Sequence, residues 1–520
     1  MATDSGRAAA GRRSTPLSGA AHWLRHAWIA AVVALAAVVV GSQIVKPNPR
    51  TLQVVAATFL VALAARLSSF TSLLLLVVIV PFPKATSYGG TTLAFVLLIF
   101  ILWLVRLTLR IEKPGGRSPI DLPVIALVSA YLLSFSQIEE PGKIYPAVVT
   151  TAYTFTHIFL GYLIIHLTRS ERQLRQLVGA IVVMAVLVQL TAIFELVFPT
   201  RPLIPGWIDL RSQGRIEYMK AGLEIVNVRV GGAIGDYELL AEFTALILLL
   251  LWFLLVRTRT TWSRVGVIAL IVLDVFVLLA TITRGALISL AVAAPFVAWR
   301  ARRHIRFHTF VITLGLVLGG GWMVLDFVAH HTRSGNVMER MEKTTFVRGV
   351  PDNRTLVWAD AWERILKRPV FGYGPSYAET KTEIRRDVKP RFWPHNIYLM
   401  YWHMLGIVGL GAFLWLMFRL WGATRRAASS MSDPSYARGL LLALQGMFLL
   451  FLVDQIKIDY LRNPVFGYWV WLFFGLIVAS ARIADQAETA GAPVRATPGP
   501  ASPLPERTRR LPAVSTLSAV

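Results

Sequence analysis

Long apolar runs dominate the chain, each bounded by short polar or basic stretches. They fall at about 26–45, 51–66, 69–83, 91–108, 119–135, 146–167, 173–198, 236–256, 264–282, 285–300, 306–327, 397–419, 437–454 and 464–481. Runs of roughly 17–25 apolar residues suffice to cross ~30 Å of hydrocarbon. No water is present in that layer, so backbone groups must pair within each segment and the runs must be helices. The pattern predicts an all-α polytopic membrane protein of about 12–14 transmembrane helices, with short helices in a long outer-face loop. The second and third runs read alternatively as a re-entrant pair. The first follows a basic leader but lacks a convincing small-residue cleavage site, so it reads as an uncleaved helix. The helical domain then covers residues 23–482, with long loops at 199–235 and 328–396. The flanks, residues 1–22 and 483–520, are rich in Ala, Gly, Ser, Pro and Arg and predict disordered tails. No internal repeat is visible.

Composition agrees. The chain is 55% hydrophobic and 16% charged, against ~25% charged in ordinary soluble domains. The net charge of +24 does not require a nucleic-acid partner, because no basic stretch lies in a recognition module. Its distribution is the more useful fact. Arg106, Arg110, Lys113 and Arg117 share one loop, and Arg169, Arg172 and Arg175 another. Arg257, Arg259 and Arg264 follow in a third, Arg300, Arg302, Arg303 and Arg306 in a fourth, and Arg419, Arg425, Arg426 and Arg438 in a fifth. All five lie on the side of the two tails, while the alternate short loops are poor in Lys and Arg. The positive-inside rule therefore predicts cytoplasmic termini and outer-face placement of the two long loops. Membrane lipids, anionic ones included, are expected contacts. The chain has no cysteine, which excludes disulfides and thiol chemistry.

Three short motifs fall on the predicted outer face. Arg229 lies in Val228-Arg229-Val230-Gly231-Gly232-Ala233-Ile234-Gly235-Asp236, before a span. Its glycines let backbone approach a ligand, and the following helix start offers free N–H groups to an anion. A snorkelling Arg in a flexible loop is the plainer alternative. Glu238 and Glu242 share a helix face and suit either a pairing with Arg229 or a sugar hydroxyl, and Asp236 suits a helix cap. Arg284, in Thr283-Arg284-Gly285-Ala286, joins two spans with almost no loop. An Arg at mid-bilayer costs roughly 2.5–3.5 kcal/mol, less near the surface, so such residues usually face a polar cavity or a partner. Thr283 is a candidate cap. His395, in Trp393-Pro394-His395-Asn396, opens a late span, with a titratable ring that accepts protons near neutral pH. Asn396 is a plausible cap or carbohydrate ligand. Trp393, Tyr398, Tyr401 and Trp402 read as interface-belt aromatics.

Elsewhere, residues 353–366 carry apolar positions at helical spacing, which predicts an amphipathic helix lying on the membrane or over the site. Arg354 within it is a candidate third phosphate ligand. Asp274 lies mid-span and suits either a proton relay or a structural hydrogen bond. Asp454, Lys457, Asp459 and Arg462 form a charged cluster that reads as structural. The outer loops carry no Asp-x-Asp pair, His-x-x-x-His spacing, phosphate-loop glycines or Gly-x-Ser-x-Gly elbow. Chemistry driven by fixed positive charge, with neither metal nor cofactor, is the expectation.

Arg229-x-x-Gly, Thr283-Arg284-Gly285-Ala286, and Arg354…Pro369…Gly372-x-Gly374 leading to Pro394-His395-Asn396 and Leu405-Gly406-Ile407-Val408-Gly409 occur in that order. The chain resembles, over about 225–412, the superfamily of bacterial O-antigen ligases and O-antigen polymerases. The resemblance implies transfer of a saccharide from a polyprenyl-diphosphate carrier to an acceptor hydroxyl, on the outer side of the bacterial inner membrane. It implies that Arg229 and Arg284 bind the diphosphate, and that His395 is the general base of an inverting reaction. Glu238 and Asn396 would support the acceptor or the fold. The expected role is a polymerase of O-antigen or exopolysaccharide, with a chain-length regulator as a further partner. The alternatives are a ligase acting on lipid A core, a transporter of lipid-linked saccharide and a bare assembly scaffold.

Overall fold

A computed structural model of the chain describes residues 66–81, 90–113, 115–198, 215–218, 225–281, 283–301, 353–375 and 394–491. The expected spans at 26–45 and 306–327, all of 51–66 but its last residue, the tail 1–22 and the tail beyond 491 lie outside the described residues; residues 483–491, expected in a disordered tail, are instead helical. Within them the all-α expectation holds. The helices are α1 (Ser69–Ile79), α2 (Gly90–Thr108), α3 (Asp121–Ser134), α4 (Pro141–Leu167), α5 (Glu171–Val197), α6 (Tyr237–Arg257), α7 (Thr261–Ala280), α8 (Arg284–Arg300), α9 (Asn353–Lys367), α10 (Ile397–Thr424), α11 (Tyr436–Asp454) and α12 (Pro464–Gly491). Seven described helices, α4 to α7 and α10 to α12, are long and apolar enough to cross a membrane, so this is a multi-pass membrane protein. One feature was not expected: β1 (Arg215–Tyr218) and β2 (Ile225–Arg229) pair antiparallel in the loop before α6.

The ends of these helices are set by local chemistry. Ser170, Asp236, Thr260, Asn396 and Ser435 each turn an oxygen onto free N–H groups at the starts of α5, α6, α7, α10 and α11. α4 begins five residues before the apolar run that predicts it, with Pro141 at its first position, where a missing N–H costs nothing. α12 runs ten residues beyond its predicted end at 481.

Burial sorts the helices. Of the apolar window of α12, 94% is buried, against 33% for α7, so α12 forms the centre and α7 presents most of its surface outward, as a lipid-facing helix does. The largest interface joins α12 to α4. Asp274 on α7 is nevertheless fully buried and accepts a hydrogen bond from Gln189 on α5. Of its two expected roles, the structural hydrogen bond is the one observed.

Contacts tie together described parts of the Arg-rich loops, Arg169 donating to Lys113 O and Ser435 Oγ to Glu171 Oε1. There Arg106 donates to Leu67 O (2.7 Å), Arg419 to Pro119 O (2.9 Å), Arg482 to Thr168 O (2.7 Å) and Arg257 to Asp433 O. Of these carbonyls only that of Thr168, the C-cap of α4, ends a described helix, and there the cation satisfies a last, unpaired carbonyl. The three motifs sit at the other ends of α6, α8 and α10.

Helix α9 forms where the amphipathic pattern places it, and the turn after it inserts into α10. Gly406 breaks α10 with φ 66° and ψ −170°. The carbonyls of His403 and Met404 then accept from Tyr373 N and Gly374 N, both at 3.0 Å, while Ile407 N donates to Pro369 O at 2.8 Å. The glycine-rich segments around 372 and 406 are thus the two halves of one backbone clamp. Arg368 extends the clamp by pairing Glu139 and donating to Gln137 O at 2.9 Å.

Candidate functional site

The site end of the bundle is assembled from the starts of α6, α8 and α10, the end of α5 and the link between α11 and α12. β2 ends at Arg229, whose side chain, like that of Arg354 in the first turn of α9, lies outside the described positions. The glycines after Arg229 are described. Gly231 N and Gly232 N donate to Glu195 Oε2 at 2.8 and 2.7 Å, and Ala233 N donates to Thr191 Oγ1 at 2.9 Å. A side chain on Gly232 would be strained at φ 53°, and a Cβ on Gly231 would sit 2.9 Å from the Gly235 carbonyl carbon. Gly232 therefore serves a close backbone approach to α5 and Gly231 a tight turn within its own loop, and the motif is anchored by a carboxylate. Glu195→Gln keeps one acceptor oxygen and loses the charge. It is expected to cost about 1–2 kcal/mol, since hydrogen bonds to charged groups are the stronger ones, read as a lowered thermal midpoint in detergent. An unchanged midpoint rejects the anchor.

Asp236 caps α6 by accepting from Glu238 N (2.9 Å) and Leu239 N (3.2 Å). The same oxygen takes Arg462 Nη2 at 2.6 Å, and Glu238 Oε2 takes that nitrogen at 2.8 Å. The carboxylate sequence reasoning offered to Arg229 is here bonded to Arg462. Glu242, one turn further into the bundle and fully buried, accepts from Gln455 Nε2 at 3.0 and 2.9 Å. Burial opposes the charge on Arg462, but the carboxylates of Asp236, Glu238 and Asp459 outweigh it and raise its pKa above the ordinary value. The guanidinium is permanently charged.

His395 lies against this group, with its Nδ1 3.1 Å from Arg462 Nη1. Its backbone adopts φ 46°, a left-handed conformation that costs a non-glycine residue of order 1–3 kcal/mol and persists only where neighbours fix it. They do so on both sides. Trp358 of α9 donates to Pro394 O at 2.7 Å. Asn396 caps α10, accepting from Tyr398 N at 2.9 Å and Leu399 N at 3.1 Å, so its observed role is structural support.

Arg284 is the first residue of α8 and is half-buried. A Cβ on its neighbour Gly285 would lie 3.3 Å from Asp454 Oδ1 and 3.9 Å from Lys457 Cδ, and Ser289 Oγ donates to Asp454 Oδ1 at 2.9 Å. Ile397 N in turn donates to Gln455 O at 3.0 Å, which ties the start of α10 to the same link. A continuous run of contacts therefore joins the starts of α6, α8 and α10, each with a partial positive charge suited to anions.

Two sequence expectations are corrected. Thr283 precedes α8 without a side-chain cap bond, and its hydroxyl donates instead to Thr281 O at 3.2 Å. Tyr401 is no belt residue: it is fully buried, its hydroxyl 2.7 Å from that of Tyr460. Trp393 lies outside the described residues. Arg462 is the residue that sequence reasoning undervalued, as one member of a structural cluster. The available signal was four charged side chains within nine positions between two spans.

Comparison with known proteins adds the family. A family model described as O-Antigen ligase matches residues 269–414, which include Arg284, Arg354, His395 and Asn396 but neither Arg229 nor Arg462. A search of curated proteins gives no match. Together with the multi-pass helical fold, the match over residues 269–414 supports placing the chain in the O-antigen ligase and polymerase superfamily, whose general activity is glycan transfer.

Proposed function

We propose that this protein transfers a saccharide from a polyprenyl-diphosphate carrier to an acceptor hydroxyl, at the outer face of a bacterial inner membrane, as a surface-polysaccharide polymerase. The observation that carries the reading is the run of contacts from the Arg284 helix start, through Asp454 and Gln455, to the start of α10 beside His395. Both helix starts lie at the ends of α8 and α10 away from the Arg-rich loops, which the positive-inside rule assigns to the cytoplasm. Arg229, Arg284 and Arg354 would hold the diphosphate. The acceptor oxygen bonds to the anomeric carbon as the carbon–oxygen bond to the diphosphate breaks, and the electron pair leaves with the diphosphate. Charge grows on that leaving group in the transition state, and fixed cations near low-dielectric surroundings favour it there over the ground state. The acceptor's proton is lost within the site, a step the resemblance gives to His395. Glu238 acts through Arg462, and Asn396 holds the start of α10.

A ligase acting on lipid A core is the second reading, favoured by the description of the matching family. Both are tested with protein in nanodiscs, a polyprenyl-diphosphate oligosaccharide and either a second carrier-linked repeat or lipid A core. A ladder of lengthened carrier-linked products supports the polymerase, and single additions to lipid A core support the ligase. Arg284→Ala is expected to slow either transfer by about 10²–10³-fold, as loss of one preorganised donor does. Unchanged transfer in that variant rejects the diphosphate role. A transporter would bind and move the carrier-linked saccharide without forming either product.

A further inference from the structure

We propose that α9 and the turn after it are seated in the bilayer surface, with membrane lipid as the partner of their outward apolar face. Apolar residues occupy one side of α9, and the fold divides that side in two. Ala361 and Ile365 are fully buried, in the packing of α9 on α10. Trp362 and Leu366, one turn apart on the neighbouring strip, stay exposed, as do Val370 and Phe371 in the turn, all at between 39% and 59%. The other side of α9 carries two ion pairs, Arg364 with Asp360 and Lys367 with Glu363. A helix with one apolar and one paired charged side suits a boundary between water and lipid.

Two observations make lipid the occupant. The first is continuity with a membrane-spanning surface. Ile407 N donates to Pro369 O at 2.8 Å and Val408 N to Val370 O at 3.5 Å, so the turn lies directly against the break in α10. Ile407 and Val408 begin an exposed stripe that continues through Leu414 and Trp415 to Phe418, at helical spacing along one side of α10. Because α10 is long and apolar enough to cross a membrane, this stripe meets hydrocarbon. The second observation is length. From Ile407 to Phe418 a helix rises about 17 Å, while the hydrocarbon layer is ~30 Å thick. Arg419 closes the stripe at one end, donating to Pro119 O. At the other, no residue of α10 before Gly406 is exposed. The apolar surface therefore lengthens over Val370, Phe371, Leu366 and Trp362.

The side chains around the turn suit such a boundary. Trp402, its ring 5.3 Å from that of Trp362, donates from Nε1 to Pro369 O at 3.2 Å, and tryptophans are favoured at membrane interfaces. A saccharide platform fits the patch poorly, because Leu366, Val370, Ile407 and Val408 offer no hydrogen bond to a hydroxyl. Trp358, one turn before Trp362, holds Pro394 O beside His395, so a single helix joins the lipid contact to the candidate base. The seat itself is independent of the glycosyl-transfer reading, and only this link to His395 rests on it.

The chain has no cysteine, so a single introduced one carries a fluorophore at a known place. Leu366→Cys and Val370→Cys test the patch, with Glu363→Cys on the charged side and Leu414→Cys on the spanning stripe as references. Phe371→Cys replaces either test variant that does not fold. Each full-length variant, labelled with an environment-sensitive dye, is placed in nanodiscs of phosphatidylethanolamine and phosphatidylglycerol that contain no polyprenyl lipid. Positions 366, 370 and 414 are expected to lose most of their emission to nitroxide-labelled lipid and little to aqueous iodide. Position 363 is expected to show the reverse. The proposal is overturned if iodide quenches 366 and 370 as strongly as 363. It is equally overturned if neither quencher reaches them, which would place protein over the patch, or if a cysteine at 366 cross-links two copies in place of meeting lipid. None of these outcomes depends on whether the protein transfers a saccharide, so failure of the seat and failure of the glycosyl-transfer reading are told apart.

Discussion

Arg462→Ala is expected to lower the stability of the folded protein by roughly 3–5 kcal/mol, the range for removing one partner of a buried ion pair. The loss comes less from the attraction given up than from the charges left behind. Asp236 and Glu238, 21% and 17% exposed, would keep their carboxylates with little water to replace the guanidinium. Asp236 cannot turn away without uncapping α6. The contrast is Arg426→Ala at the other end of the bundle. That pair with Asp485 is 48% and 43% exposed, and pairs of this kind contribute about 0–1 kcal/mol. Thermal unfolding of both variants in the same detergent makes the comparison. Equal midpoints would show that the Arg462 group is solvated and not a structural hub.

Gly406→Ala is expected to be the more damaging change, at roughly 4–6 kcal/mol, summed from crowding of a packed site and a left-handed backbone for a residue with a Cβ together with weakened clamp bonds. The added Cβ would sit 1.9 Å from Val370 O and 2.1 Å from its carbonyl carbon. Those atoms belong to the inserted turn, so backbone must move. The bonds Tyr373 N to His403 O and Ile407 N to Pro369 O would lengthen together. Because α9 holds Pro394 through Trp358, the disturbance should reach His395. Faster amide exchange at 369–374 and 403–408, with a lowered midpoint, is the expected result. Protection equal to that of the parent would mean the clamp tolerates a side chain.

Much of the fold was legible in the chain. Apolar runs gave eleven of the described helices within a few residues of their observed limits, apart from the early start of α4, the later end of α10 and the extension of α12. The amphipathic spacing of 353–366 gave α9, because burial on one side alone leaves a helical period in the sequence. Asp236 and Asn396 were readable as caps because capping is a local matter of one side chain and the next two amides. Thr283 shows the limit of that reasoning, since its hydroxyl finds a carbonyl instead. The β1–β2 hairpin lay in a loop without clear alternation and was not foreseen.

The sequence by itself determined that the chain crosses a membrane many times and that its arginines cluster in alternate loops, and it led to the expectation that Arg229, Arg284 and His395 share one end. Those facts follow from hydrophobic run length and loop charge, which act locally and leave a periodic trace. Only the tertiary structure decided the partners at that end: Glu195 for the glycines after Arg229, Asp454 beside Gly285, and Arg462 between Asp236, Glu238 and His395. Such pairings join residues up to 226 positions apart, here Asp236 and Arg462. No local period encodes them, because they arise from the order in which helices pack and from the need of each buried charge for an opposite one.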